Sequence, residues 1–410
     1  MKSLLVIADG LGGRPTDYNG QTCLEAADTP NLNELTQRGA TGLLDPIKPG
    51  VRPGSDTAHL SIFGYDPNKW YTGRGVFEAL GIGMNVKNND ICFRTNFATI
   101  NNESILQDRR AGRIQEGQEE LEEALQELNS TQSGTKVIFK ASTEHRGALI
   151  LRAPELSHQI TDIDPHETGV KLPKSKPKSN EKSAEKTAEI VNEIVKQSQE
   201  ILQNHPLNKK RKEEGELPAN TLLVRGASKK MNLPSIKERY GVNGVVIAAG
   251  ALYIGVARAL GLEFKKAKGA TGGIDSPIIN KAKLAVKELN SSTDFAFIHF
   301  KGADNAGHDH NAEAKINYIE KIDDAMGYLM NNLDWENTHI AFTGDHTTPI
   351  NYGDHTPDPV PILFHGPNIT PDEVNEFNEK TTQKGGINRI SGQVVPILLG
   401  YSNKTEKFGA

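Results

Sequence analysis

Residues 2–13 read KSLLVIADGLGG, a short apolar run that ends in an acid followed by glycines. The run is apolar at consecutive positions, which is typical of a central parallel strand that is buried on both faces. In an open α/β sheet, ligands collect where parallel strands end, so the acid at this edge, Asp9, is well placed to carry chemistry. The stretch therefore predicts an α/β protein with a functional residue directly after its first strand.

Three further apolar runs repeat this pattern. They lie at residues 244–249, 294–300 and 338–343. The last two end close to Asp304 and Asp345, and an amphipathic helical pattern over residues 312–333 separates them. Strands that alternate with helices in this way predict a doubly wound, mostly parallel sheet of the α/β class, with several acids at its carboxyl edge.

The middle of the chain has a different pattern. Short alternating strands are predicted over residues 92–100, 136–141 and 147–151. An acidic helix is predicted over residues 116–129. From residue 166 to about residue 220 the chain is polar, first linker-like with many Lys, Ser and Pro residues and then helical. This region predicts an α+β arrangement and not further βαβ units.

The chain therefore divides into two predicted domains. A split α/β domain comprises residues 1–85 and 222–410, and a smaller α+β domain, residues 86–221, is inserted into it. A length of 410 residues agrees with two domains and an ample core.

The composition excludes several classes of protein. The 47 Lys and Arg residues against 52 Asp and Glu give a net charge of −5, which does not favour a nucleic-acid-binding protein. The longest apolar stretch, residues 244–257, is too short to span a membrane and is broken by glycines. The two cysteines, Cys23 and Cys92, cannot form a disulfide framework. We expect a cytoplasmic protein without nucleic-acid or membrane partners, and the oligomeric state stays open.

Metal-ligand side chains lie far apart in the sequence, and most of them follow predicted strands. They are Asp9, Ser55, Asp304, His308, Asp345, His346 and His355. Carboxylates gathered at one sheet edge would repel each other, and divalent cations relieve that repulsion. Oxygen and imidazole ligands together suit Mn²⁺, Zn²⁺, Co²⁺ or Fe²⁺ better than Mg²⁺. The pattern predicts a two-metal site, although each residue alone is also compatible with a turn, cap or core position.

Ser55 is the candidate nucleophile. It follows Arg52-Pro53-Gly54 at a predicted helix start, where a serine can also serve only as an N-cap. A helix N-terminus favours a phosphate or an alkoxide, and a neighbouring metal ion would lower the pKa of the hydroxyl. The glycines after Asp9 do not complete a dinucleotide fingerprint, and no phosphate-binding loop motif is present, so no organic cofactor is expected.

The chain resembles the archaeal-type cofactor-independent phosphoglycerate mutases of the alkaline phosphatase superfamily. The resemblance is carried by motifs that include VIADGLGGRP, IKPGVRPGSDTAHLSIFGYDP, DRRAGRI, FKGADNAGHDHN and TGDHTTPINYGDHTPDPVPIL. It implies an alkaline-phosphatase-like fold and an isomerase that interconverts 2-phosphoglycerate and 3-phosphoglycerate in glycolysis and gluconeogenesis. No 2,3-bisphosphoglycerate would be needed.

The resemblance also implies roles for the ligand residues. The first metal ion would be held by Asp9, Ser55, Asp345 and His346. The second would be held by Asp304, His308 and His355. Ser55 would be phosphorylated transiently. Two divalent ions are expected, with Mn²⁺ first and Zn²⁺, Co²⁺ or Mg²⁺ as alternatives.

The substrate carries a phosphate and a carboxylate, so its binding face should be cationic. The predicted binding residues are Arg94, Arg109, Arg110, Arg113, Arg146 and His59. Asp108 would contact a glycerate hydroxyl or take part in proton transfer. His59 and Arg74 match family positions and are expected to act as supports. Each arginine is equally compatible with a solvated surface charge. The inserted domain is expected to close over the substrate and exclude water.

Two other functions remain open from the sequence. A metal-dependent phosphomonoesterase, or another phosphotransferase of the same superfamily, would have the same metal core, because a fold does not specify its substrate. A non-catalytic phosphate- or metal-binding module would not need the hydroxyl of Ser55.

Overall fold

The computed structural model of the chain describes residues 1–131, 134–407 and 409. The chain divides into two units. The first joins Met1–Tyr71 to Leu233–Ala410, and the second comprises Thr72–Asn232.

The strands are β1 (Lys2–Ala8), β2 (Ala40–Asp45), β3 (Asp90–Ile100), β4 (Leu106–Asp108), β5 (Lys136–Ala141), β6 (Arg146–Arg152), β7 (Thr221–Lys229), β8 (Gly244–Ile247), β9 (Glu263–Phe264), β10 (Phe295–Phe300), β11 (Thr338–Gly344), β12 (Val360–His365) and β13 (Asn388–Ser391). The helices are α1 (Cys23–Ala26), α2 (Pro30–Gln37), α3 (Ser55–Ile62), α4 (Pro67–Trp70), α5 (Gly75–Gly81), α6 (Gln118–Ala124), α7 (Lys182–Asn204), α8 (Pro206–Glu213), α9 (Ile236–Tyr240), α10 (Ala251–Ala259), α11 (Ile279–Leu289), α12 (Gly302–His308), α13 (Ala312–Asn332), α14 (Glu379–Thr382) and α15 (Val394–Tyr401). Short 3₁₀ turns lie at Ala111–Arg113 and Leu125–Glu127.

An eight-stranded sheet forms the centre of the first unit, in the order β13-β2-β12-β11-β1-β10-β8-β9. The pairs β11–β1, β1–β10, β10–β8 and β8–β9 are parallel, and β12 runs antiparallel to both of its neighbours. Helices such as α11 and α13 pack against each other beside this sheet. The predicted α/β class and the mostly parallel sheet are confirmed.

The central position of β1 explains its composition. It pairs with β10 on one side and with β11 on the other, and from Leu4 to Ala8 its side chains are completely buried. A strand covered on both faces can bury apolar residues at consecutive positions, without the alternation of a half-exposed strand. The apolar run therefore follows directly from the place of the strand in the sheet.

The second unit contains a five-stranded sheet in which β3 pairs antiparallel with β4, β6 and β7, and β5 pairs antiparallel with β6. Helix α7 packs against β7 through its buried apolar stripe. The acidic helix predicted over residues 116–129 is shorter: α6 starts after Gly117, which has a left-handed φ of 84°, and a 3₁₀ turn replaces its last part.

The second unit extends beyond both edges of the predicted insertion, residues 86–221. On one side, α5 packs against β3, β6 and β7. On the other side, β7 continues to Lys229 and pairs with β3 along its length. Packing and strand pairing place both flanking segments in the second unit, where a sequence pattern alone does not show them.

Among the described residues, no helix combines the length and the apolar character that a membrane span requires.

Candidate metal centre and cationic cluster

The ends of three neighbouring strands place the first group of candidate residues. Because β1, β10 and β11 are parallel and in register, Ala8 lies opposite both Phe300 and Gly344. Asp9 and Asp345 are the residues that follow β1 and β11. The sheet therefore brings two acids that are 336 positions apart to one edge, as the apolar runs predict.

His346 lies at the centre of this group. Its Nε2 is 3.3 Å from Asp9 Oδ1, 3.3 Å from Asp345 Oδ2 and 3.1 Å from Ser55 Oγ. Asp9, Asp345 and His346 are completely buried. Ser55 is the first residue of α3, and Gly54 holds the N-cap position, so the alternative role of Ser55 as a capping residue is not found. Its hydroxyl points instead to the candidate ligands.

Asp304, His308 and His355 form a second group next to the first. Asp304 and His308 lie one turn apart on α12, and His308 Nε2 is 3.3 Å from Asp304 Oδ1. His355 Nε2 is 3.6 Å from the same oxygen. The Nδ1 atoms of the two histidines lie 2.8 Å from the backbone oxygens of Gly353 and Pro53, respectively. These contacts orient both rings with Nε2 towards Asp304, as is typical of metal-binding histidines.

Several sets of ligand atoms lie within 4.8 Å of one another, which is compatible with metal binding. They are Asp9, Asp345 and His346; Asp304, His346 and His355; His308, Asp354 and His355; and His59, His299 and Asp345. Except for Ser55, the predicted ligands of the first ion all belong to the first of these sets. The predicted ligands of the second ion are distributed over two overlapping sets.

The buried carboxylates strongly perturb one another. Burial and the negative charges of Asp9 and Asp304 raise the pKa of Asp345 well above its usual value. Burial alone would also raise the pKa of Asp9. The charge of Lys301 and the contact with His299 have the opposite, larger effect, and they hold the pKa of Asp9 well below its usual value. Asp9 Oδ1 and Asp345 Oδ2 are buried and make no hydrogen bond within the described part of the chain. Buried carboxylate oxygens without donors are suited to a bound cation.

Two further residues of this site, Lys301 and Tyr253, are absent from the sequence-based prediction. Lys301 Nζ lies 3.2 Å from Asp9 Oδ2, 2.7 Å from Asp304 Oδ2 and 3.1 Å from the Tyr253 hydroxyl. The Tyr253 hydroxyl also donates a hydrogen bond to Asp9 Oδ2. Lys301 directly follows a predicted strand, and this position could have marked it as a site residue. Tyr253 lies in an apolar helical stretch, and nothing in its local sequence indicates a place in the site.

His59 occupies a position that differs from its predicted place among the substrate-binding residues. It is completely buried, with Nδ1 2.7 Å from Ser55 O and 3.5 Å from Asp345 Oδ2. Burial lowers the pKa of His59 to about 3, so its ring is neutral. A buried ring that contacts the backbone of Ser55 and the carboxylate of Asp345 can support both residues, and the predicted part of His59 in substrate binding stays a prediction.

Arginines of the second unit form a separate group, which we call the cationic cluster: Arg74, Arg94, Arg109 and Arg225. Arg94 on β3 lies directly opposite Arg225 on β7. Arg94 Nε is 3.6 Å from Glu78 Oε1, and Arg225 is 3.2 Å from Asp164 Oδ2. Burial, followed by the charge of Arg74, lowers the pKa of Arg94 to about 9. Like charges opposed across a sheet are unfavourable, so this arrangement is suited to an anion.

The Nε atoms of Arg94 and Arg225 are buried and have no hydrogen-bond partner among the described residues. Arg225 is missing from the predicted binding residues, because only the pairing of β7 with β3 places it beside Arg94. Arg109 is held by two hydrogen bonds to Asp164, at 2.9 and 2.7 Å.

The remaining predicted substrate residues lie in less constrained positions. Arg110, Arg113 and Arg146 are exposed, and Arg146 is 3.4 Å from Glu144. The carboxylate of Asp108 accepts hydrogen bonds from the backbone of Arg110 and Gly112, at 2.8 and 3.0 Å. The structure thus uses Asp108 to stabilise a turn, and its predicted part in proton transfer stays a prediction.

Comparisons with known proteins connect this arrangement to a family. The family model described as 2,3-bisphosphoglycerate-independent phosphoglycerate mutase matches residues 36–208, and the model described as type I phosphodiesterase / nucleotide pyrophosphatase matches residues 177–357. A relative from Ignicoccus hospitalis, named 2,3-bisphosphoglycerate-independent phosphoglycerate mutase, is 46% identical over 416 residues, which cover 100% of this chain and 99% of the relative. A Pyrococcus horikoshii relative with the same name is 46% identical over 413 residues, again with 100% and 99% covered.

Solved structures agree with these relatives. A Pyrococcus horikoshii protein is 40% identical and superposes with a TM-score of 0.87, covering 100% of this chain and 99% of that protein. A cofactor-independent phosphoglycerate mutase from Thermoplasma acidophilum is 35% identical, with a TM-score of 0.68 and coverage of 98% and 100%. With relatives 46% identical along its whole length, the chain belongs to the family of 2,3-bisphosphoglycerate-independent phosphoglycerate mutases.

Proposed function

We propose that this chain is an isomerase that interconverts 2-phosphoglycerate and 3-phosphoglycerate through a phosphorylated Ser55. The observation that carries the proposal is the position of the Ser55 hydroxyl. It lies 3.1 Å from His346 Nε2, within the buried group that Asp9 and Asp345 complete. The full-length relatives named for this activity support the choice of substrate.

We further propose that the site holds two divalent ions, with Mn²⁺ as the expected metal. One ion would be held by Asp9, Ser55, Asp345 and His346. The other would be held by Asp304, His308 and His355. The donor set supports this assignment. For the first ion, Asp9 Oδ1 and Asp345 Oδ2 are buried and lack a hydrogen bond within the described residues. For the second ion, the imidazoles of His308 and His355 are held in orientation by backbone oxygens, and both features suit divalent cations. When bound, the ions supply positive charge that lowers the pKa of the serine hydroxyl and neutralises phosphoryl oxygens.

Ser55 would act as the acceptor and then the donor of the phosphoryl group. Its Oγ gives up its proton and attacks phosphorus in line, the bond from phosphorus to the glycerate oxygen breaks, and that oxygen takes up a proton. The other hydroxyl of the glycerate then gives up its proton and attacks the phosphoserine, the bond from phosphorus to Oγ breaks, and Oγ takes up a proton. The first residue of α3 is suited to this role because the N-terminus of a helix stabilises negative charge.

The cationic cluster of the second unit would bind the anionic substrate. We expect Arg94→Met to raise the KM for 3-phosphoglycerate by roughly a hundredfold, since it removes a charge-assisted contact to a carboxylate or phosphate. The measurement is steady-state kinetics, with Arg94→Lys as the variant that keeps the charge. Lys140→Met, on β5, is the matched control because, among the described residues, the ammonium of Lys140 donates to the backbone oxygen of Ile82 and to no carboxylate. An unchanged KM in folded Arg94→Met would remove Arg94 from substrate binding.

A paired assay tests the proposed reaction against phosphate-ester hydrolysis. With 3-phosphoglycerate as substrate, enolase coupling detects 2-phosphoglycerate, and a phosphate assay detects hydrolysis. We expect isomer formation to exceed phosphate release by at least about a hundredfold, because a mutase must exclude water from its phosphoserine. Phosphate release at the same rate as substrate loss, without any isomer, would favour the phosphomonoesterase.

The proposed cytoplasmic location has one structural support. Both cysteines, Cys23 and Cys92, are free and buried. Unpaired thiols are typical of proteins in a reducing compartment.

A further inference from the structure

Lys301 holds a position between the two groups of candidate ligands. Its ammonium contacts one carboxylate from each group, Asp9 Oδ2 at 3.2 Å and Asp304 Oδ2 at 2.7 Å. Its third hydrogen bond goes to the Tyr253 hydroxyl at 3.1 Å. These three contacts use all the donors that an ammonium group has. Lys301 is therefore directed into the site by a complete set of partners.

The arrangement provides a positive charge where the site most needs one. Asp9 and Asp345 are completely buried and Asp304 is 3% exposed, so three carboxylates share a region with little water. Such a group is costly without cations. Tyr253 adds a fixed donor to Asp9 and orients the Lys301 ammonium from the other side. The Lys301 side chain itself is 26% exposed, so its presence at the carboxylates is not enforced by burial alone.

We propose that Lys301 is the resident cation of the metal centre, a positioning residue that keeps Asp9 and Asp304 together when the protein holds no ion. The inference rests on the proposed function in one respect, the assignment of these two carboxylates to different metal ions. A divalent ion that binds either carboxylate must then compete with the ammonium. Lys301 thus stabilises the metal-free protein and weakens its affinity for metal.

The test compares Lys301→Met with the wild-type enzyme, each stripped by a chelator and desalted. Thermal unfolding is measured without metal and in saturating Mn²⁺, and Mn²⁺ binding is measured by calorimetry at one pH. We expect Lys301→Met to lower the melting temperature of the metal-free protein, and this loss to shrink in Mn²⁺ because the ions replace the missing charge. Mn²⁺ should bind Lys301→Met at least about tenfold more tightly, since a nearby positive charge has been removed.

Three variants serve as controls. Lys301→Arg keeps the charge and should remain close to the wild type in both measurements. Lys321→Met removes a lysine of the same unit whose ammonium donates to the backbone oxygen of Ile274, and it should change neither. Lys301→Gln removes the charge but can still form hydrogen bonds. It is used in place of Lys301→Met if Lys301→Met does not fold either without metal or in Mn²⁺.

Two results would overturn the role of Lys301: a melting temperature lowered equally with and without Mn²⁺, or an Mn²⁺ affinity that is unchanged or weaker. A purely structural role would give the first result. These outcomes differ from a failure of the proposed function. A wild-type protein that binds no Mn²⁺ would overturn the metal centre and this inference together.

Discussion

Ser55→Ala is expected to abolish mutase turnover, with kcat lowered by at least roughly 10⁴-fold, because it removes the only proposed acceptor of the phosphoryl group. The Ser55 hydroxyl lies 3.1 Å from His346 Nε2, the ring nitrogen that also faces Asp9 and Asp345. The enolase-coupled assay measures the loss. Incubation of the wild type with labelled substrate, followed by acid quenching and peptide mapping, should place a phosphoryl group on the peptide with Ser55 and none in the variant.

The same substitution should leave the protein folded. Gly54 holds the N-cap position of α3 and Ser55 makes no capping hydrogen bond, so its loss should change the free energy of unfolding by less than about 1 kcal/mol. Thr57→Ala is the matched control, since this hydroxyl lies in the same turn and donates to the backbone oxygen of Gly54, at 3.0 Å, and not to a candidate ligand. Turnover of Ser55→Ala near the wild-type rate would contradict the covalent mechanism. It would favour direct transfer of the phosphoryl group without a phosphoserine.

The strands that build the site were predictable because their environment is extreme. β1, β10 and β11 are buried on both faces, and such strands have consecutive apolar residues that no surface element shows. Asp304 and His308 were predictable as a pair because a spacing of four places two side chains on one side of a helix. These features depend on local sequence, and the parallel register then converts local predictions into a shared site.

Other parts of the site depend on contacts that no local pattern encodes. In the sequence, Tyr253 is one of many residues in an apolar stretch. Only the fold brings its hydroxyl to Asp9. Arg225 matters only because β7 pairs with β3 and places it opposite Arg94. The burial of His59 follows from the strands and helices packed around α3, and the sequence shows only a helical histidine. Long-range packing decides these positions, and the edges of the second unit depend on it for the same reason.

Removal of divalent ions is the second change with a large expected effect. A chelator should lower mutase activity to background, because three buried carboxylates without ions cannot stabilise the charge on a transferring phosphoryl group. Added Mn²⁺ should restore it. Asp345→Asn should prevent this recovery, since Asp345 is a proposed ligand whose buried Oδ2 has no hydrogen bond within the described residues. Asp358→Asn is the control, because Asp358 is paired with Arg14 near the surface.

The pH dependence of this recovery follows from the metal-free site. The hydrogen bond to Asp304 raises the pKa of His308 to about 9, so this imidazole carries a proton at neutral pH that a metal ion must displace. Mn²⁺ affinity should therefore increase from neutral pH towards pH 9 and then level off, as the competing proton is lost. Calorimetry in buffers of different ionisation enthalpy measures both the affinity and the released proton. Full activity in protein shown by elemental analysis to contain no metal would contradict the two-ion mechanism, and Ser55 would then need a different source of activation.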